Sequence, residues 1–283
     1  LSVLPRTRAK KLVFKNGLVN EVIAERSSSK DSTSKIRILP TTVFLCAGTI
    51  HTPHLLMKSG INFPGLGRFQ LHPTLKVLAH FKDIVNAGRQ PLPNYAITEF
   101  MPDLRFGGSV VTPGVLGMAF AENWEARSYL KDKLDYLASY YVMIRPKSWG
   151  QIRSFKLAAE LDSHDLDLIA FGAEKLSNAL FSVGALSLHP SVKNHEGWKT
   201  INSVKTDMLN KKLRGRLNLM SIHLFGSCLP LNNPKMLLNN GRIKDLPNII
   251  LADGSCLPSA PGVNPQATIM SLARRNVIKY CEK

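Results

Sequence analysis

Hydrophobic and polar positions follow one style at both ends of the chain and another in the middle. In KLVFKNGLVNEVIAE (residues 11–25) two apolar-rich runs flank Asn16-Gly17, a dipeptide suited to a tight two-residue turn, so the stretch predicts a β-hairpin. A Ser/Lys/Asp loop over residues 27–35 separates it from IRILPTTVFLCAG. Residues 43–47 form a short unbroken apolar run closed by Gly48, the pattern of a strand buried on both faces. HTPHLLMKSG (residues 51–60) then predicts a helix with Thr52 as N-cap, Pro53 at the first helical position and Gly60 as the stop. Strand, glycine turn and helix make half of an α/β unit.

From about residue 76 to 218 the spacing changes. LKVLAHF, NYAITEF, YYVMIRP and GQIRSF predict separate strands of an antiparallel sheet. Two helices are expected among them. One carries Leu130, Leu134 and Leu137; the other covers residues 165–184, with Leu168, Phe171, Leu176, Ala179, Leu180 and Val183 as its apolar stripe. From residue 219 the first style returns. NIILADG is a second buried strand, ending in an acid and a glycine, and residues 266–279 predict the last helix. No internal repeat or low-complexity tract interrupts this order. The pattern is that of an α/β fold (α+β overall) in three segments, residues 1–75, 76–218 and 219–283.

Composition narrows the function classes. The 283 residues are 44% hydrophobic, enough for a sizeable core, yet no run approaches the ~18–20 apolar residues of a membrane span. The net charge of +17 is scattered, with short clusters only at residues 6–11 and 211–216. No RNA- or DNA-binding signature accompanies it, so a solvated basic surface is expected and specific nucleic-acid binding is not. Cys46, Cys228, Cys256 and Cys281 lack CxxC spacing, which predicts reduced, mostly buried thiols and no disulfide framework or metal site. LSVLPRTRAKK has no signal-peptide layout, and a targeting signal could lie upstream of it, so localisation is left open.

Three places could carry chemistry. Asp253-Gly254 ends a buried strand, where ligands of open α/β sheets lie; the carboxylate can hold a sugar hydroxyl or simply cap its turn. PGVNPQATIM (residues 261–270) places Asn264 at an N-cap and Pro265 at the first helical position. The first-turn N–H groups and the helix dipole beyond them favour electron-rich ligand atoms, unless Asn264 caps its own helix and nothing more. His223, in SIHLFGSCLP, is a lone histidine in apolar company, open to either a core or a catalytic reading. GxSxG, GxGxxG, GxxxxGK[ST] and HExxH are all missing.

Taken together, LCAGTIHTPHLLMKSGI (residues 45–61), GRFQLHP (67–73), HLFGSC (223–228) and NIILADGSCLPSAPGVNPQATIMSLARRN (248–276) resemble the glucose–methanol–choline (GMC) family of FAD-dependent oxidoreductases. MIRPKSWGQI and LFSVGA are similar to its substrate domain more loosely. The resemblance implies FAD as cofactor and oxidation of an alcohol by hydride transfer to flavin N5. It implies His223 as the catalytic acid/base and Asn264 as its partner, a position that is His in some branches and Asn in those resembling choline and cholesterol oxidases. Imidazole suits a proton handled near neutral pH, and an amide can hold an alkoxide-like oxygen. Asp253 and Gly254 would face the ribityl and pyrophosphate region, Pro265 and Gln266 the flavin pyrimidine edge, and Ala47 and Gly48 the adenosine side. Residues 1–75 and 219–283 would belong to a partial Rossmann-like FAD domain, and 76–218 to a substrate domain with an antiparallel sheet flanked by helices.

Two departures stand out. SCLPLNN replaces the family's usual Arg-Met-Gly after the Cys, and the family's N-terminal GxGxxG unit is not in this sequence. The expectation is therefore a C-terminal portion of such an enzyme, inactive alone, whose cofactor site is completed by an N-terminal segment in cis or as a separate chain. A lyase on the same scaffold, or an interaction protein with decayed sites, are the alternatives.

Overall fold

A computed structural model of the chain describes residues 2–28, 32–90, 95–153, 156–229 and 240–282. Strands β1 (Thr7–Lys15), β2 (Leu18–Ser27) and β3 (Thr33–Ile38) form an antiparallel sheet in the order β1-β2-β3. Asn16 and Gly17 sit at φ +52° and +77°, the left-handed pair that the tight turn needs.

The two unbroken apolar runs, far apart in sequence, are neighbours in space. β4 (Val43–Leu45) lies parallel to β15 (Leu246–Leu251), with Val43, Phe44 and Leu45 opposite Ile249, Ile250 and Leu251. β14 (Arg242–Ile243) pairs antiparallel on the far side of β15. Helix α1 (Gly48–Lys58) leaves β4 directly. It starts four residues before the predicted Thr52 cap, and Pro53 lies inside it, while Gly60 ends it at φ +86° as expected.

β5 (Leu66–Leu71) holds a third sheet together. β13 (Leu224–Cys228) pairs on one side of it, and β10 (Gly150–Arg153) followed by β11 (Lys156–Ala158) on the other. GQIRSF thus joins this sheet rather than the one expected for the middle segment. That larger sheet has the order β12-β6-β9-β8-β7, from β6 (Thr74–Phe81), β7 (Ala96–Ile97), β8 (Leu104–Ser109), β9 (Leu137–Ile144) and β12 (Ala185–Pro190), antiparallel throughout.

The middle helices differ from expectation. α2 (Pro113–Ala121), α3 (Trp124–Arg127), α5 (Ile201–Leu209) and α6 (Lys211–Arg214) were not anticipated. The 130–137 region is two short 3₁₀ turns, and Leu137 opens β9. α4 (Ser163–Ser182) buries Ile169, Ala173, Leu176 and Leu180, whereas Phe171 and Val183 of the predicted stripe are exposed. The face is rotated because Gly172 lets α4 settle on β9: a Cβ there would come within 2.4 Å of Val142. Leu75, Val77, Phe106, Ile144, Ile169 and Trp198 belong to the resulting core. A separate core contains Leu12, Leu45, Leu56, Leu66, Ile249 and Leu251.

Helix α7 (Gln266–Cys281) is anchored differently. Its one buried residue is Asn276, whose Nδ2 donates to the Leu251 carbonyl at 2.8 Å. Met270 is 63% exposed, and Val277 and Ile278 are also exposed. No helix among the described residues is long and apolar enough to cross a membrane. All four thiols are free, but only Cys228 and Cys256 are buried; Cys46 and Cys281 are exposed, against the mostly buried expectation. Of SCLPLNN, residues 230–233 lie outside the described residues.

Candidate active site

The site forms where α1, β13 and the turn after β15 meet. Asp253 is buried, and its carboxylate works within the chain. Oδ2 accepts from the Gly48 N–H at 2.8 Å and from the Thr52 hydroxyl at 2.5 Å, and Oδ1 accepts from the Ser255 N–H at 2.8 Å. Asp253 therefore ties the end of β15 to the first turn of α1 and caps its own turn. This is why α1 begins at Gly48: a carboxylate distant in sequence takes up an N–H that the helix leaves unpaired.

Two side chains at alternate positions, Gln70 and His72, reach the segment that leads into α7. Gln70 Oε1 accepts from the Ala260 N–H at 2.9 Å, and His72 Nε2 accepts from the Gly262 N–H at 3.2 Å. Residues two apart on an extended strand share a face, which explains the pairing. Gly262 has φ +74°, and a Cβ there would lie 2.6 Å from the Pro102 carbonyl, so no side chain fits that close approach. α7 then starts at Gln266, as the 266–279 helix predicts, but its N-cap is Pro265 rather than the expected Asn264. Asn264 does not cap it. Its Oδ1 instead accepts from Arg105 Nη1, on β8, at 3.2 Å.

His223, just before β13, is half-buried. Its Nδ1 lies 3.2 Å from His72 Nδ1, and both rings pack on Phe225. Burial pushes His72 down to about 3, with the neighbouring His223 and Arg105 adding to the effect. Burial also lowers His223.

These elements enclose a cavity of ≈ 320 Å³ lined by Ala47, Gly48, His223, Gly254, Pro265 and Ile269, among others. The first turns of α1 and α7 both border it. A second cavity of ≈ 410 Å³, largely apolar in surface, lies beside the larger sheet; Leu78, Val115, Met118 and Met220 line it, with Lys76, Glu122, Arg127, His189 and Asn218 among its polar lining, and Ile222 is common to both cavities.

Of the predicted residues, Ala47, Gly48, His223, Gly254 and Pro265 share one cavity. Asp253 stands behind its wall, and Asn264 and Gln266 flank Pro265 on the exposed side. Ala47 and Gly48 border the same cavity as His223. Asp162, His164 and Asp165 lie close enough together to suggest a metal, but Asp162 caps α4 and Asp165 accepts from the Lys147 and Ser148 N–H groups.

Gln70, His72 and Arg105 escaped the sequence reading. Gln70 and His72 did leave a signal: two polar residues on one face of FQLHP, otherwise apolar, require buried partners. Arg105 left none, because its partner is distant in sequence.

A family model described as GMC oxidoreductase matches residues 144–273, and a second of the same description matches residues 1–74. An uncharacterized GMC-type oxidoreductase of Sinorhizobium fredii is 39% identical over 97% of this chain and 56% of its own length. A long-chain-alcohol oxidase of Arabidopsis thaliana is 25% identical over 89% of this chain and 38% of its own. The fold is similar to that of pyridoxine 4-oxidase from Mesorbium loti, with TM-score 0.71, 17% identity, and coverage of 98% of this chain and 57% of that one. The chain spans about half the length of the curated relatives it matches.

Proposed function

The chain belongs to the GMC oxidoreductase family, and from that premise we propose that it serves the FAD-dependent oxidation of an alcohol, with His223 at the reacting oxygen. The observation that carries this reading is the position of His223 on a cavity bordered by the first turns of α1 and α7. The cavity passes a simple test of fit for a flavin. Gly48 has open space where a side chain would stand, and the helix starts offer N–H groups and positive dipole ends to an electron-rich ring edge. FAD, when bound, supplies the hydride acceptor.

The residues of this chain do the rest. Pro265 and Gln266 set the start of α7 against the pyrimidine edge, and Ala47, Gly48 and Gly254 provide a wall without bulk. Asp253 keeps that wall in place through Gly48 and Thr52. His223 and Asn264 receive the alcohol oxygen. The largely apolar second cavity, which shares Ile222 as a lining residue with the first, suits the body of an alcohol with a hydrocarbon portion, in keeping with the long-chain-alcohol oxidase relative. The phosphate loop comes from a further segment, in cis or as another chain, which also covers the exposed apolar side chains of α7.

In the FAD-loaded protein, His223→Ala should slow substrate-dependent flavin reduction by about 10²–10⁴-fold while flavin occupancy is kept. Stopped-flow absorbance measures it, and an unchanged rate removes His223 from the reaction.

A further inference from the structure

His223 and Asn264 each have a second partner, and that partner decides which atom is left for the substrate. The Gly262 N–H donates to His72 Nε2 at 3.2 Å, so this nitrogen presents a lone pair. A neutral imidazole has one donor and one acceptor nitrogen, so His72 carries its proton on Nδ1. Burial, which drives its pKa to about 3, keeps the ring neutral. Nδ1 faces His223 Nδ1 at 3.2 Å, and with His72 donating, His223 must accept there. A neutral His223 then carries its own proton on Nε2.

Arg105 makes the same choice at Asn264. Its Nη1 donates to Oδ1 at 3.2 Å, which leaves the amide Nδ2, a group that only donates. The supports are themselves held. The Pro102 carbonyl crowds Gly262 so that only glycine fits, and the Ser221 hydroxyl accepts from the His72 N–H at 2.9 Å and donates to the His223 carbonyl at 2.9 Å.

We infer that His72 and Arg105 are positioning residues that turn His223 Nε2–H and Asn264 Nδ2–H into a two-donor seat, selective for a substrate oxygen that carries negative charge rather than for a neutral hydroxyl. This rests on the reading that His223 and Asn264 meet the substrate oxygen. It adds the direction of their hydrogen bonds. Neither of the two donor nitrogens offers a lone pair for the hydroxyl proton, so that proton passes to water. The electrons of the O–H bond stay on the substrate oxygen, where the two donors hold them, as preorganised donors stabilise charge in other active sites.

The test is the side-chain ¹⁵N spectrum of the histidine-labelled, FAD-loaded protein at pH 7, with His72 and His223 assigned through His72→Gln and His223→Gln. The expected result is two neutral rings, His72 protonated on Nδ1 and His223 on Nε2. His72→Leu removes both bonds; His223 should become a tautomer mixture, and flavin reduction should slow by about 10- to 100-fold, the scale on which outer partners act. His72→Gln should restore the rate to within about 3-fold of the parent, because its amide can accept from Gly262 and donate to His223. A parent His223 protonated on Nδ1 overturns the inference, even if His72→Leu fails to fold. So does a His72→Gln variant as slow as His72→Leu. A parent-like rate in His72→Leu, with His223→Ala still slow, removes the positioning role and leaves the proposed function standing. An unchanged rate in His223→Ala removes the function instead, and the spectrum still decides the tautomer because it needs no substrate.

Discussion

The sheet order β12-β6-β9-β8-β7 and the sheet order β14-β15-β4 answer the same problem, an apolar face that water must not reach, in different ways. The first is covered by this chain's own helix α4, whose Ile169, Ala173 and Leu176 are at most 3% exposed. The second has α7 for a neighbour, yet α7 buries only Asn276 and leaves Met270, Val277 and Ile278 open. One region is covered by a helix with a buried apolar face, and the other presents a helix whose one buried residue is an amide, with Ile269, Leu272 and Tyr280 half-buried and other apolar side chains facing outward. Apolar surface of that kind is where a further segment would dock on the proposed reading. On the function proposed above, the substrate side is closed by this chain's own α4, while the cofactor side is the one that a further segment would complete.

The contrast predicts a ranking of substitutions in the FAD-loaded protein. Leu176→Ala should cost about 2–5 kcal/mol in urea unfolding, since it opens a cavity in the closed core. A cost below about 1 kcal/mol would mean that this core is not tightly packed. Asn276→Ala should cost about 1–3 kcal/mol by leaving the Leu251 carbonyl unsatisfied, and hydrogen exchange in α7 should rise before it rises in α4.

Acid should act on the closed region next. His189 on β12 is pushed down to about 4 by burial, aided by the Arg127 and His80 charges. Its folded value lies below its ordinary 6.5, so the unfolded chain binds the extra proton and stability falls as pH drops from about 6.5 toward 4. The loss from this site between pH 7 and 5 should be roughly 1–2 kcal/mol. His189→Gln should flatten that slope, and an unchanged slope would clear His189. The smallest effect belongs to the open region. Met270→Ser should change the stability of the 283-residue chain by less than about 0.5 kcal/mol and cost more once the completing segment is bound.

Which features were legible in the sequence follows from how local their causes are. The hairpin at Asn16-Gly17, the apolar strands β4 and β15 taken singly, and the stop at Gly60 depend on residues close by, and all are found; the pairing of β4 with β15 does not, and was not foreseen. The start of α1 was misplaced because its cap is Asp253, distant in sequence. The leucine spacing at 130, 134 and 137 suits a helix, but the third of these leucines is spent on opening β9. The stripe on α4 was rotated by a contact between Gly172 and Val142 that only the packed sheet creates. The cavity residues came from motif resemblance, whereas His72 and Arg105 had to be seen beside their partners.

The dependence of the cofactor side on a further segment is tested most directly by incubating the purified 283-residue chain with excess FAD, desalting, and reading the flavin absorbance. Almost no retained flavin and no turnover of alcohol are expected from the chain alone, and a yellow, near-equimolar holoprotein once a segment carrying the phosphate loop is supplied in cis or as a second chain. A near-equimolar flavin signal from the 283 residues alone would contradict it.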